Sequence, residues 1–266
     1  DFTKAERIMS FNSPLMMICI YGSMILIAWM GAQQIVASGN TECSRTEQYR
    51  QIEDMMKIPG IGAYVLVSNR LDQNNEGEEV FFQNAQEIFD RFPEVDFGIY
   101  ECPMPWKRLV SLDFLRKVAP EGRMVFLKDT CCDYELIRER LKAVEGTPLK
   151  IFNANAQSWY DSYCHGSAGY NGVMANFHPD LYKWAYDHKD SDPEKAQLVA
   201  HFLTTAAMIE MRAYPVSAKY HQNLVDVPMS LVTRSADAAK LDKNARGEVE
   251  SLIAMENYVR KQLGIL

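Results

Sequence analysis

Lys128 ends an apolar run, Arg123-Met-Val-Phe-Leu-Lys128, and is followed by Asp129-Thr130. A lysine held at the end of a buried strand loses part of the water around its ammonium. That lowers its pKa and frees the lone pair for attack on a carbonyl. Tyr100 closes a second run, Val95-Asp-Phe-Gly-Ile-Tyr100. Position alone is weak evidence, because strand-end lysines commonly snorkel to solvent and strand-end tyrosines commonly pack in a core. Asn153, Asn155 and Asn176 are amides at or near further run ends, equally suited to touching a substrate or to fastening loops. His165 and His178 have no metal-ligand company in the sequence and read as structural.

The elements that must position these groups repeat along the chain. Short apolar runs occur at Ala63–Ser68, Val95–Tyr100, Arg123–Lys128, Leu149–Asn153 and Tyr170–Ala175, each predicted as a strand. Helical patterns lie before and between them: 46–57, Glu78–Arg91, Ser111–Val118, Tyr134–Val144, Gln157–Cys164 and Pro179–His188. Alternation of this kind means βαβ units and a parallel sheet. Near-continuous apolar strands fit a sheet covered on both faces or closed into a barrel, where chemistry gathers at the C-terminal strand ends. Glu101 neighbours Tyr100, but adjacent strand residues point to opposite faces, so only one of the two faces inward. From Pro193 onward the chain reads as helix, in pieces Gln197–Met211, Tyr214–Leu224 and Arg246–Leu263.

Composition narrows the class. Hydrophobic residues make up 47% of 266, enough for a sizeable core, and 24% charged residues with net charge −7 give no basic stripe for nucleic acid. The six cysteines form no C-x-x-C pair, and reduced thiols in a cytoplasmic protein are expected. One segment breaks the pattern: from Ile8 to Thr41 there is no Asp, Glu, Lys or Arg. Residues 14–36 are long and apolar enough to be expected as a membrane helix.

Three motifs sharpen the reading: Ile99-Tyr-Glu-Cys-Pro103, Phe126-Leu-Lys-Asp-Thr130 and Gly169-Tyr-Asn-Gly-Val-Met-Ala-Asn176. Their order and spacing resemble those of the dihydrodipicolinate synthase and N-acetylneuraminate lyase family. The resemblance covers residues 46 to 266 and implies an α/β fold: a partial (β/α)₈ barrel at 46–190 with a helical C-terminal extension at 191–266. It implies that Lys128 forms an imine with a 2-oxo acid, usually pyruvate, and that Tyr100 relays protons beside it. Thr130, Asn153 and Asn176 become candidate substrate-binding residues. No cofactor or metal is implied; the expected partners are the oxo acid, an aldehyde and further copies of the same chain.

The departures from that pattern are specific. The family places a tyrosine after its fourth strand, where Ser68-Asn-Arg-Leu-Asp72 has none, and an arginine after the Tyr-x-x-Pro turn, where Pro105 stands with Lys107 and Arg108 nearby. The first three strands are missing, and with them the Gly-Thr-Thr loop that holds the oxo acid's carboxylate. Five strands cannot close a barrel and leave two edges. In their place, Lys4-Ala-Glu-Arg-Ile-Met9, Asn12-Ser-Pro-Leu-Met16 and Trp29-Met-Gly-Ala-Gln-Gln-Ile-Val36 resemble a membrane-spanning helix of an ABC exporter over residues 1–42. No phosphate loop follows. Two explanations compete, a join of two unrelated reading frames or a missing third supplied by another chain, and the first is favoured. Three functions stand open: a Schiff-base lyase or aldolase, an inert remnant, and a transporter fragment.

Overall fold

In the computed structural model, residues 44–265 are described. The expected membrane helix at 14–36 lies outside them. Among the described residues, no helix is long and apolar enough to cross a membrane. The described residues fall into two units, 44–65 and 66–265. The described part of the first holds helix α1, Arg45–Met56, which starts where the Ser44 hydroxyl accepts the Glu47 amide. Arg50 then clamps Glu47 and Asp54 on one exposed side.

Five strands form one sheet in chain order: β1 Tyr64–Val67, β2 Phe97–Tyr100, β3 Met124–Asp129, β4 Lys150–Asn153 and β5 Gly169–Tyr170. The ladders from β2 to β5 are parallel. Connecting helices α2 Glu78–Arg91, α3 Leu112–Val118, α4 Tyr134–Ala143 and α5 Trp159–Cys164 follow β1 to β4. The Ser111 hydroxyl caps α3, and the Asp133 carboxylate accepts two amides at the start of α4.

The two faces of the sheet differ. Ile99, Leu127 and Ile151 are paired in register and fully buried on one face. Phe97 meets Phe89 of α2 at 5.1 Å between ring centroids. The other face carries two rows of residues in register. One is Gly98, Phe126 and Lys150; the next is Tyr100, Lys128, Phe152 and Gly169. Large and small residues alternate here. A Cβ on Gly98 would stand 2.9 Å from Phe126, and one on Gly169 would stand 2.8 Å from the Phe152 ring. Phe126, Phe152, Tyr100 and Lys128 are only half-buried, as expected for the inner wall of an incomplete barrel.

One expected element is shorter than the pattern suggested. The run Tyr170–Ala175 is not a strand: pairing ends soon after Tyr170, and Val173–Asn176 is a 3₁₀ turn. The Asn171 amide still donates to the Asn153 carbonyl at 2.8 Å, and then the chain turns at Gly172. A Cβ at Gly172 would lie 2.1 Å from the Tyr170 hydroxyl and 2.6 Å from the Ala154 carbonyl, so only glycine permits this close return.

The C-terminal helices are α6 Pro179–His188, α7 Pro193–Ala206, α8 Val216–Leu224 and α9 Lys243–Leu263, with a 3₁₀ turn at Ala207–Met211. Asp192 caps α7 ahead of Pro193, and Asp242 caps α9. Their apolar sides share a core with the last βα unit, in which Trp159, Leu181, Val199, Leu203 and Val249 take part. Tyr170 stacks on Tyr182 at 4.2 Å. At the centre of the helices, the buried Glu256 accepts from His178 Nδ1 at 2.8 Å, His221 Nε2 at 2.9 Å and Arg260 at 3.1 Å. His178 is thus a structural histidine, as its isolation in the sequence suggested.

Candidate active site

Lys128 and Tyr100 are register partners on adjacent strands, so their side chains rise from the same face. The Lys128 amine sits over the Tyr100 ring, 4.3 Å from its centroid. No hydrogen bond joins the amine to the phenol, and among the described residues the amine has no ion-pair partner. Burial holds the amine below its ordinary pKa, with the Cys102 thiol acting in the opposite sense. Burial likewise pushes the Tyr100 phenol well up, helped by Cys102 and Tyr214. The site therefore holds an amine biased toward neutrality and a phenol that stays protonated.

One residue further along each strand, the side chains turn to the helix side and form a different system. Glu101, Asp129 and Arg140 are all fully buried. Arg140 of α4 pairs with Glu101 at 2.8 Å and with Asp129, and donates to the Val110 carbonyl. Glu101 also accepts the Val110 amide at 2.7 Å and the Thr130 amide at 2.8 Å. This cluster ties the segment after β2 to the end of β3. Glu101 is thus excluded from the Lys128 side, as strand alternation required.

The other expected site residues are placed as follows. The Thr130 hydroxyl donates to the Glu101 carbonyl at 2.8 Å. The Asn153 amide donates to Ser158 and Ser162, and its oxygen accepts from Asn155, so it fastens the turn into α5. Asn176 is exposed and donates to the Tyr214 hydroxyl at 3.2 Å. Lys107 donates to the Thr130 carbonyl at 2.7 Å, while Arg108 pairs with Asp72 and Glu78. Both cations after the Tyr-x-x-Pro turn are therefore already engaged.

Sequence reasoning missed Arg140, Cys102 and Tyr214. Arg140 had a visible signal: it occupies an apolar helical stripe with Ile137, Leu141 and Val144. Glu256 carries the same signal, in line with Ala245, Val249 and Leu252. Nothing local marks Tyr214, because only the return of the C-terminal helices brings it near Tyr100.

No family model matches the chain. Several solved structures share its fold. The dihydrodipicolinate synthase of Thermotoga maritima superposes with a TM-score of 0.64 at 17% identity, covering 84% of this chain and 73% of that one. The chloride-inhibited dihydrodipicolinate synthase of Acinetobacter baumannii, complexed with pyruvate, gives 0.65 at 17% identity over 84% and 72%. The 4-hydroxy-tetrahydrodipicolinate synthase of Methylacidiphilum fumariolicum gives 0.66 at 16% identity over 83% and 72%. The fold is that of a dihydrodipicolinate synthase barrel, in part, with its C-terminal helices.

Proposed function

We propose that the chain is a Schiff-base-forming lyase or aldolase in which Lys128 attacks the keto carbon of pyruvate or a similar 2-oxo acid. The observation that carries the reading is the half-buried Lys128 amine, without an ion-pair partner among the described residues, over the Tyr100 ring at a C-terminal strand end. The neutral amine adds to C2 of the oxo acid, and the carbinolamine then expels water to leave the iminium. Tyr100 donates its proton to the departing hydroxide, which leaves as water, and is left as phenolate; its raised pKa keeps the phenol protonated until that step. In this reading Asn176 stands at the rim of the site, and Thr130 and Asn153 frame it through the loops they hold.

Substrate binding is weak in this account. Lys107 and Arg108 are committed elsewhere, and loss of a charge-assisted carboxylate clamp costs roughly 1.5–3 kcal/mol, or about ten- to a hundredfold in affinity. The same observation favours a second reading, a catalytically inert barrel remnant. Borohydride reduction in the presence of pyruvate, followed by peptide mapping, separates the two: an adduct on Lys128 supports the lyase, and its absence at high pyruvate supports the remnant.

A further inference from the structure

The inner face of the sheet carries a second lysine that the chemistry above leaves unused. Lys150 opens β4, and its register partner is Phe126, two residues before Lys128 on β3. Lys128 in turn pairs with Phe152, two residues after Lys150. Residues two apart on a strand share a face, so the four side chains stand at the corners of one square. The two phenylalanines occupy one diagonal, with ring centroids 5.0 Å apart. The two lysines occupy the other. Strand spacing and rise put their Cα atoms roughly 8 Å apart.

What flanks the square shapes it. Gly98 lies beside Phe126 and Gly169 beside Phe152, and a Cβ on either glycine would come within 2.9 Å of the neighbouring phenylalanine. The rings therefore spread over the glycines and pave the floor between the amines. An inner row of a closed barrel is filled by apolar side chains, yet Lys150 is exposed here. Among the described residues, neither amine has a hydrogen bond or an ion pair. Within β2 to β5 the acid is Asp129, and it pairs with Arg140 on the helix side. The face thus offers two cations, an apolar floor and no counter-charge of its own.

We propose that Lys150 holds the distal carboxylate of a dicarboxylic 2-oxo acid whose keto carbon is joined to Lys128. The methylenes between the two ends lie across the Phe126 and Phe152 rings, where their burial adds to the charge pairing. This names the substrate class of the lyase reading and rests on it. The covalent step is the one already written, and Lys150 contributes N–H donors to a carboxylate and no bond change. It is a specificity residue. Pyruvate has no second carboxylate, so it leaves Lys150 unused and binds weakly.

The test compares 2-oxoglutarate with 2-oxopentanoate, acids of equal chain length, in borohydride trapping on the full chain. Labelling of Lys128, read by peptide mapping, should reach half its maximal rate at about tenfold lower 2-oxoglutarate, the gain from one charge-assisted contact. Added salt should narrow that gap. K150Q should bring the two acids level, and K150R should keep them apart. The readout is a ratio, which a general loss of folding or trapping does not move. If wild type traps both acids at Lys128 with no gap, or K150Q keeps the gap, the role of Lys150 is wrong and the lyase reading stands. If neither acid leaves an adduct at Lys128, the lyase reading falls and the proposal with it.

Discussion

The Lys128 amine rests on the face of the Tyr100 ring, 4.3 Å from its centroid, because parallel pairing places these two residues side by side. The ring face attracts the ammonium form by about 0.5–2 kcal/mol, while burial disfavours it, and burial prevails. Tyr100 therefore plays two separable parts, as a wall for the amine and as a proton carrier. Tyr100→Phe keeps the wall. It should still trap pyruvate on Lys128, but more slowly because the acid that assists loss of hydroxide is gone, with methyl-hydrogen exchange slowed by about a hundredfold or more. Loss of trapping in Tyr100→Phe, measured by peptide mapping, would contradict that division.

The buried cluster of Arg140, Glu101 and Asp129 predicts a large stability effect remote from the amine. Arg140→Leu leaves two carboxylates without their cation and releases the Val110 carbonyl. Breaking a buried ion pair by removing one partner costs roughly 3–5 kcal/mol. Urea denaturation should show the unfolding free energy lowered by that amount, and a loss below about 1 kcal/mol would mean that the cluster does not hold the segment after β2 in place.

Glu256 predicts the acid behaviour of the C-terminal helices. Its neighbours His178 and His221 hold the carboxyl down to about 2, against desolvation, which alone would raise it. A folded-state pKa depressed in this way contributes stability that is fully present above the unfolded value of 4.5 and lost as pH falls toward about 2. The contribution is about 3 kcal/mol. Wild type should lose stability steeply across that window, and Glu256→Gln should be weaker at neutral pH and flatter below pH 4.5. Identical pH profiles for the two proteins, followed by circular dichroism, would exclude the carboxyl as the source.

Much of this architecture was readable from the residues. Four of the five strands stand where apolar runs end in a polar group, because one face is buried and the other half-buried until the chain reaches the rim. Lys128 and Tyr100 were visible for the same reason. The fifth strand was read too long, since Val173, Met174 and Ala175 are as apolar as a strand requires; the turn is dictated by the close approach at Gly172, which no periodicity records. Arg140 and Glu256 were legible in principle as charges on apolar stripes. Tyr214 was not, because its place near Tyr100 depends on how the C-terminal helices return to the strand ends.

The central claim is that Lys128 is the imine-forming residue, and trapping with borohydride at high pyruvate measures it most directly. Wild type, Tyr100→Phe and Lys128→Ala should be treated in parallel across neutral to alkaline pH and digested for mass spectrometry. The account predicts a reduced adduct on Lys128 in the first two, accumulating at pH values where surface lysines remain unlabelled, and none at this peptide in the third. Adducts spread over surface lysines with none at Lys128, or a labelling pattern unchanged in Lys128→Ala, would contradict it.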